Sequence, residues 1–321
     1  MYGITSCALG ENAVYTAPYY TPRELESPIR QALGKLLIHT LAEQAGVDHT
    51  GAAVARWYEH QCAHGYCERS DKSWRLFFKG RVLSEDLQVE LTARFPLLRE
   101  ILSNILWPTL CNVARGEASW GALSNEIGEE LRLDLATSKG ISWLSRCVSL
   151  NYLSILFLII RTKSIWYAAS RVRASLLFTK YMQVLCVTSP LSYISEELYQ
   201  IVDELIRRQD LYELRNHSDW PHSSEYFQAG VDKYRQLIGE LTSCGWFDDN
   251  GRDLLIFMAM LINHPRDFKQ LPELLQCRKP DWIAARIRRQ VCALAEWQKE
   301  IQSLRWKLES FRGEDISVSV V

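Results

Sequence analysis

Apolar residues that return every three or four positions, in one stretch after another, leave this chain little choice but to build helices. The clearest stretch follows Pro280, where Ile283, Ile287, Val291, Leu294, Trp297, Ile301, Leu304, Leu308 and Phe311 cover 28 residues in eight steps, a mean of 3.5. That is the coiled-coil seam period rather than the 3.6 of a straight helix, so the 281–312 helix is expected to pair along its length. The partner is either another helix of the same bundle or a second protein, including a second copy of the chain. Near the other end, Ser27-Pro28 opens a helix carrying Ile29, Leu33, Leu36, Leu37 and Leu41, which Gly46 stops. Similar start and stop signals place helices over 50–64, 71–80, 84–95, 97–114, 119–137, 190–214, 223–243 and 251–263. Hairpin dipeptides, paired strand patterns and repeats of 20–50 residues are absent from the sequence. The expected class is all-α, a multi-helix bundle, with 153–160 (rich in Ile, Leu and Phe) left open as a strand.

Length and composition bound the organisation. With 321 residues, 47% of them hydrophobic, and a net charge of −1, the chain carries enough apolar surface for a large core. Disordered and collagen-like compositions are excluded. We expect an extended arm over 1–27, an N-terminal helical subdomain over 28–115, a C-terminal helical bundle over 140–313 and a tail over 314–321. Nine cysteines scattered along the chain suit reduced thiols, and the first 20 residues hold no basic region followed by an apolar one, so a cytoplasmic location is expected. The longest uncharged run, the 14 residues between Arg146 and Arg161, is too short to span a bilayer.

Charge is spread unevenly. Between Asp134 and Glu196 stand 61 consecutive residues without a carboxylate, carrying Lys139, Arg146, Arg161, Lys163, Arg171, Arg173 and Lys180 and hence +7, against −8 for the other 260 residues. Such a segment suits a polyanion, with Trp166, Tyr167, Phe178 and Tyr181 available to stack on bases. The alternative is that these cations meet acidic helices around Glu196, Glu197, Asp203 and Glu204. Arg161, Lys163, Arg171, Arg173 and Lys180 are the residues assigned here to DNA or RNA.

Three shorter constellations carry chemistry. His60, Cys62, His64 and Cys67 are zinc-ligand types, and His60, His64 and Cys67 fall at i, i+4 and i+7 on one helical face, so zinc is the one cofactor the sequence offers; the alternative is a helix end with ordinary thiols. In the segment 50–95, the run from Trp74-Arg75 to Gly80, followed by Ser84 and Leu87, resembles a lambda-repressor-like helix-turn-helix. The resemblance implies that Lys72, Ser73, Arg75 and Lys79 face the major groove or its phosphates; otherwise Trp74, Phe77 and Phe78 are simply core. Trp74, Gly80, Phe95-Pro96 and Trp107-Pro108 also resemble a family of uncharacterised helical proteins of proteobacteria, which implies no activity. Finally, Arg215, Asn216 and His222 resemble the R-polar-x-H signature of HEPN ribonucleases, with six residues between Arg and His. That resemblance implies metal-independent RNA cleavage with His222 in proton transfer and Arg215 on the phosphate; the alternative is a polar loop capped by Ser223 and Ser224.

Phosphate-binding glycine loops, nucleophile elbows and H-E-x-x-H pairs are missing, and Asp248, Asp249, Asn250 and Asp253 lack EF-hand spacing. The expected function is therefore non-enzymatic binding of a macromolecule. A HEPN-like ribonuclease and a scaffold acting through 281–312 are the alternatives.

Overall fold

Glycine and proline set several of the helix ends in this chain. The structure, a computed structural model, describes residues 25–62, 71–111, 117–146, 148–208, 211–243, 257–259 and 261–262. The helices are α1 (Ser27–Ala45), α2 (Gly51–Cys62), α3 (Asp71–Phe78), α4 (Glu85–Arg94), α5 (Pro96–Leu102), α6 (Leu106–Leu110), α7 (Glu117–Leu131), α8 (Ser138–Leu144), α9 (Leu150–Arg161), α10 (Ala168–Leu185), α11 (Ser195–Arg207), α12 (Tyr212–His217) and α13 (Ser224–Ser243). Short 3-10 turns occupy Ile165–Tyr167 and Leu191–Ile194, and no strand occurs among the described residues, so the protein is all-α. The expected helices at 281–312 and most of 251–263, and the arm and tail apart from Leu25, Glu26 and Ser27, lie outside the described residues.

Two glycines close their helices in the same way. After α1, Gly46 adopts φ 67°, its N–H donates to Glu43 O and the Val47 N–H to Ala42 O. After α3, Gly80 adopts φ 92°, with its N–H on Phe77 O and the Arg81 N–H on Leu76 O. This pair of backward bonds satisfies carbonyls the helix leaves open and needs a left-handed residue. Gly80 has a second reason to be glycine: a Cβ there would lie 3.0 Å from Gln31 O on α1. Gly80→Ala is therefore expected to destabilise by about 2 kcal/mol, from left-handed strain and the backbone approach together. Gly239→Ala, where a Cβ meets nothing within 4 Å in α13, should instead stabilise by about 0.5–1 kcal/mol. Urea midpoints of both variants check the opposite signs.

The segment 153–160 is helix, not strand. Ser149 caps it by accepting from Tyr152 N–H at 3.2 Å, and every residue of α9 from Tyr152 to Arg161 is buried. A helix surrounded on all sides loses the one-sided pattern by which helices are recognised, which is why its sequence also read as a strand. α10 packs along α9, and α6, α7 and α8 pack around this pair. The two sequence blocks 28–115 and 140–313 share one buried core among the described residues: α1 packs on α11, and α6 packs on both α9 and α11.

A polar knot ties α9 to the turn before α6. The buried Asn104 amide donates to Asn151 Oδ1 at 2.7 Å, while its Oδ1 accepts from the Leu106 N–H at 2.9 Å and from the Ser154 hydroxyl at 2.5 Å. Trp107, fully buried, donates its indole N–H to Ile101 O at 2.7 Å. The expected 97–114 helix is thus two helices, α5 and α6, broken where Asn104 diverts the backbone bonds onto its side chain.

Candidate functional site

The carboxylate-free segment contributes its cations to quite different places. Arg161 is buried at the end of α9 and donates to Cys111 O at 3.1 Å. Arg171 clamps three groups: Glu213 Oε1 at 2.6 Å, Thr162 O at 2.8 Å and Ser164 O at 2.6 Å. Arg161 thus ties the end of α9 to the end of α6, and Arg171 holds the turn between α9 and α10, so both guanidinium groups are engaged within the protein. Lys180 lies 3.9 Å from Asp219, a carboxylate 90% exposed, which is a weak solvated pair. Among the described residues none of the seven meets Glu196, Glu197, Asp203 or Glu204; Glu197 pairs with Lys35, Asp203 with Arg207, and Glu204 with Arg207 and Arg208.

The remaining cations form a surface. Thr137 caps α8 by accepting from the Gly140 N–H, and the helix places Lys139, Ser142 and Trp143 on one stripe that continues to Arg146, at i, i+3, i+4 and i+7. The Arg146 guanidinium sits over the Trp143 ring, 3.7 Å from its centroid. From α10, Arg173 donates to Ser142 Oγ at 3.3 Å, which brings it onto the same stripe. Among the described residues no carboxylate pairs with Lys139, Arg146 or Arg173. On the 3-10 turn that leads into α10, Ile165 and Trp166 are each 80% exposed, and Lys163 beside them is exposed too. The other aromatic residues expected to stack, Tyr167, Phe178 and Tyr181, are buried in the core. Phe178 and Tyr181 are inward because α10 presents that side to α9 and its N-cap, and Tyr167 because the 3-10 turn points it at α7, where its hydroxyl donates to Asn125 Oδ1.

The other sequence candidates are placed as follows. On α3, Lys72, Arg75 and Lys79 are exposed and share a face at i, i+3 and i+7, Ser73 is half-buried, and Trp74 and Phe77 anchor the opposite side in the core. His60 is exposed on α2, whereas His64 and Cys67 lie outside the described residues. Among the described residues no group of three or more His, Cys, Asp or Glu is arranged to hold a metal ion. Arg215 and Asn216 are exposed on α12, the Asn216 amide donating to Tyr212 O, while His222 lies beyond the end of that helix with its ring 4.1 Å from Tyr226. Trp220 separates them: its indole N–H donates to Asp203 Oδ1 at 3.2 Å and its ring stacks on Tyr199 at 5.2 Å, pinning the loop inward. No hydrogen bond among the described residues joins Arg215 to His222.

One cluster left no signal in the sequence. His39 on α1 and His49 on the turn after it face each other with their Nδ1 atoms 2.9 Å apart. Tyr193, on the 3-10 turn before α11, stacks on His39 at 4.2 Å and donates its hydroxyl to Glu43 Oε1 at 3.0 Å, with His49 Nε2 3.4 Å from the same hydroxyl. Single histidines ten residues apart and a tyrosine 144 residues further on have no spacing to recognise.

The wider comparisons add no identity: no family model matches the chain, and neither the curated proteins nor the solved structures contain a match to it. Among the described residues no helix is long and apolar enough to cross a membrane.

Proposed function

We propose that the protein is a non-enzymatic binder of single-stranded nucleic acid, which it contacts through the α8–α10 surface. One observation carries this reading: Lys139, Arg146 and Arg173 converge from α8 and its C-terminal turn and from α10 without a carboxylate partner among the described residues, inside a segment that has no acidic residue at all. Phosphates supply the missing negative charge, and the counterions they release drive association. Trp166 stands exposed at the head of α10 and Trp143 backs Arg146, so a flexible strand following the cations finds indole and guanidinium faces for its bases. A duplex keeps those faces stacked inside itself, which is why single strands are the expected substrate class. The exposed face of α3, with Lys72, Arg75 and Lys79, is a second basic contact area on the same protein.

Fluorescence anisotropy of labelled single-stranded RNA, single-stranded DNA and duplex DNA tests the reading. Three to four phosphate contacts give a slope of log affinity against log salt of about −2 to −3 on a single strand. Absence of binding to any probe at low salt overturns the proposal. Shortening of the RNA probe, abolished by His222→Ala, would instead make the HEPN-like ribonuclease the function.

A further inference from the structure

We infer that an exposed apolar row along α10 and the turn before it seats the bases of the bound strand, while Arg173 and the cations of α8 hold its phosphates. The inference rests on the single-strand reading and deepens it, dividing the surface into a phosphate half and a base half. Ile165 and Trp166 on the 3-10 turn are each 80% exposed; in α10 itself Ala169 is exposed, Val172 half-buried and Leu176 48% exposed. Ala169, Val172 and Leu176 recur at spacings of three and four, so they lie on one outward side of the helix. Ile165 stands four residues before Ala169 and Trp166 three before it. Burial of α10 against α9 does not need these side chains, and a row of apolar groups left in water marks a contact surface.

Arg173 joins the row to the cations. It follows Ala169 by four residues and precedes Leu176 by three, which makes it their neighbour on the helix surface, and its guanidinium reaches Ser142 on α8. Lys180, seven residues after Arg173, continues the basic border and lies 3.9 Å from the exposed Asp219. A single strand has the same two edges: a charged backbone and, one sugar away, flat apolar bases. From Ala169 to Leu176 the helix rises about 10 Å, the length of about three bases stacked at 3.4 Å, and the Trp166 ring adds a stacking place at the head of the row.

Charge argues against the other occupants of such a row. A second copy packed face to face would bring two sets of Arg173 and Lys180 together in a segment without carboxylates. Residues 281–312 carry seven Lys or Arg against four Asp or Glu, so they too would add positive charge to positive. Phosphate removes the conflict. Of Ile165, Trp166, Ala169, Val172 and Leu176, only the indole of Trp166 has a side-chain hydrogen-bonding group. Stacking and apolar contact recognise the face of a base and not its edge, so the row takes any unpaired sequence but requires that bases be present.

Anisotropy titrations of the full chain with a base-bearing single strand and with an abasic strand of the same length and charge separate the two halves. The abasic strand should bind at least about tenfold more weakly, with the same salt slope. Trp166→Ala should weaken the base-bearing strand by at least about fivefold, and Ile165→Gln combined with Leu176→Gln should weaken it several-fold, while neither changes the salt slope or the affinity of the abasic strand. Val89→Gln on α4, at a residue 71% exposed, is the control and should change nothing. Equal affinity for the two strands, or variants that weaken both alike, overturns the base-seating row and leaves the single-strand reading standing. Absence of binding to either strand at low salt overturns both. Vesicles of phosphatidylcholine and phosphatidylserine that bind the wild type but not Ile165→Gln, with strand affinity unchanged, also overturn the row, which is then a lipid contact.

Discussion

Changing Lys139, Arg146 and Arg173 together to glutamine is expected to weaken binding of a single-stranded probe by about two orders of magnitude at ~50 mM salt and to flatten the salt slope by about 2. The magnitude comes from three lost phosphate contacts, each releasing about 0.7 of a counterion on a single strand. Stability should barely change, because none of the three is in an ion pair among the described residues and surface substitutions of this kind fall within about 0.5 kcal/mol. Arg161 and Arg171 make the necessary contrast. They belong to the same carboxylate-free segment, yet Arg171→Gln removes partners from Glu213, Thr162 O and Ser164 O at once, so its effect should appear in the urea midpoint and not in the salt slope. An unchanged salt slope in a well-folded triple variant would remove the α8–α10 surface from the function.

Trp107→Ala should give the largest loss of stability, about 3–5 kcal/mol. The indole is fully buried in α6, a helix of five residues that has little stability of its own and touches α1, α9 and α11. Truncation leaves a cavity where these helices meet and strips Ile101 O of its donor. Against a typical total of roughly 5–15 kcal/mol, that is a large fraction. Trp107→Phe separates the two causes, because it keeps most of the volume and loses only the hydrogen bond, for an expected cost of about 1–2 kcal/mol. Equilibrium urea unfolding with both variants measures the difference; a loss under about 1.5 kcal/mol for alanine would show that α6 is peripheral to the core.

Much of the helical framework is written locally. The stops at Gly46 and Gly80 and the break at Pro96 each depend on a backbone requirement satisfied within a few residues, so spacing alone located them. Where the environment is uniform, spacing fails: α9 is apolar all round and its period is hidden. It also fails where a side chain competes for backbone bonds, as Asn104 does between α5 and α6. For the candidate surface, the sequence marked the carboxylate-free segment with Lys139 and Arg146 in it and named Arg161, Lys163, Arg171, Arg173 and Lys180 as contacts, but it did not name Lys139 and Arg146 as contacts, which Arg173 joins on their stripe.

By itself, then, the sequence determined the all-helical class, the helix ends over 27–95 and 224–243, and the presence of a 61-residue stretch of positive charge, because each depends on residue type and on neighbours within a few positions. Only the tertiary structure decided which charges are consumed and which remain: Arg161 turns inward to the Cys111 carbonyl after α6 and Arg171 to the Thr162 and Ser164 carbonyls after α9, Tyr167, Phe178 and Tyr181 are buried, and Trp166 stays outside. The same holds for the cluster of His39, His49 and Tyr193, in which the Tyr193 hydroxyl reaches Glu43 across 150 residues of chain. Helix formation is governed by bonds four residues apart, whereas the partner of a side chain is fixed by how finished helices pack, and that information is spread over the whole core.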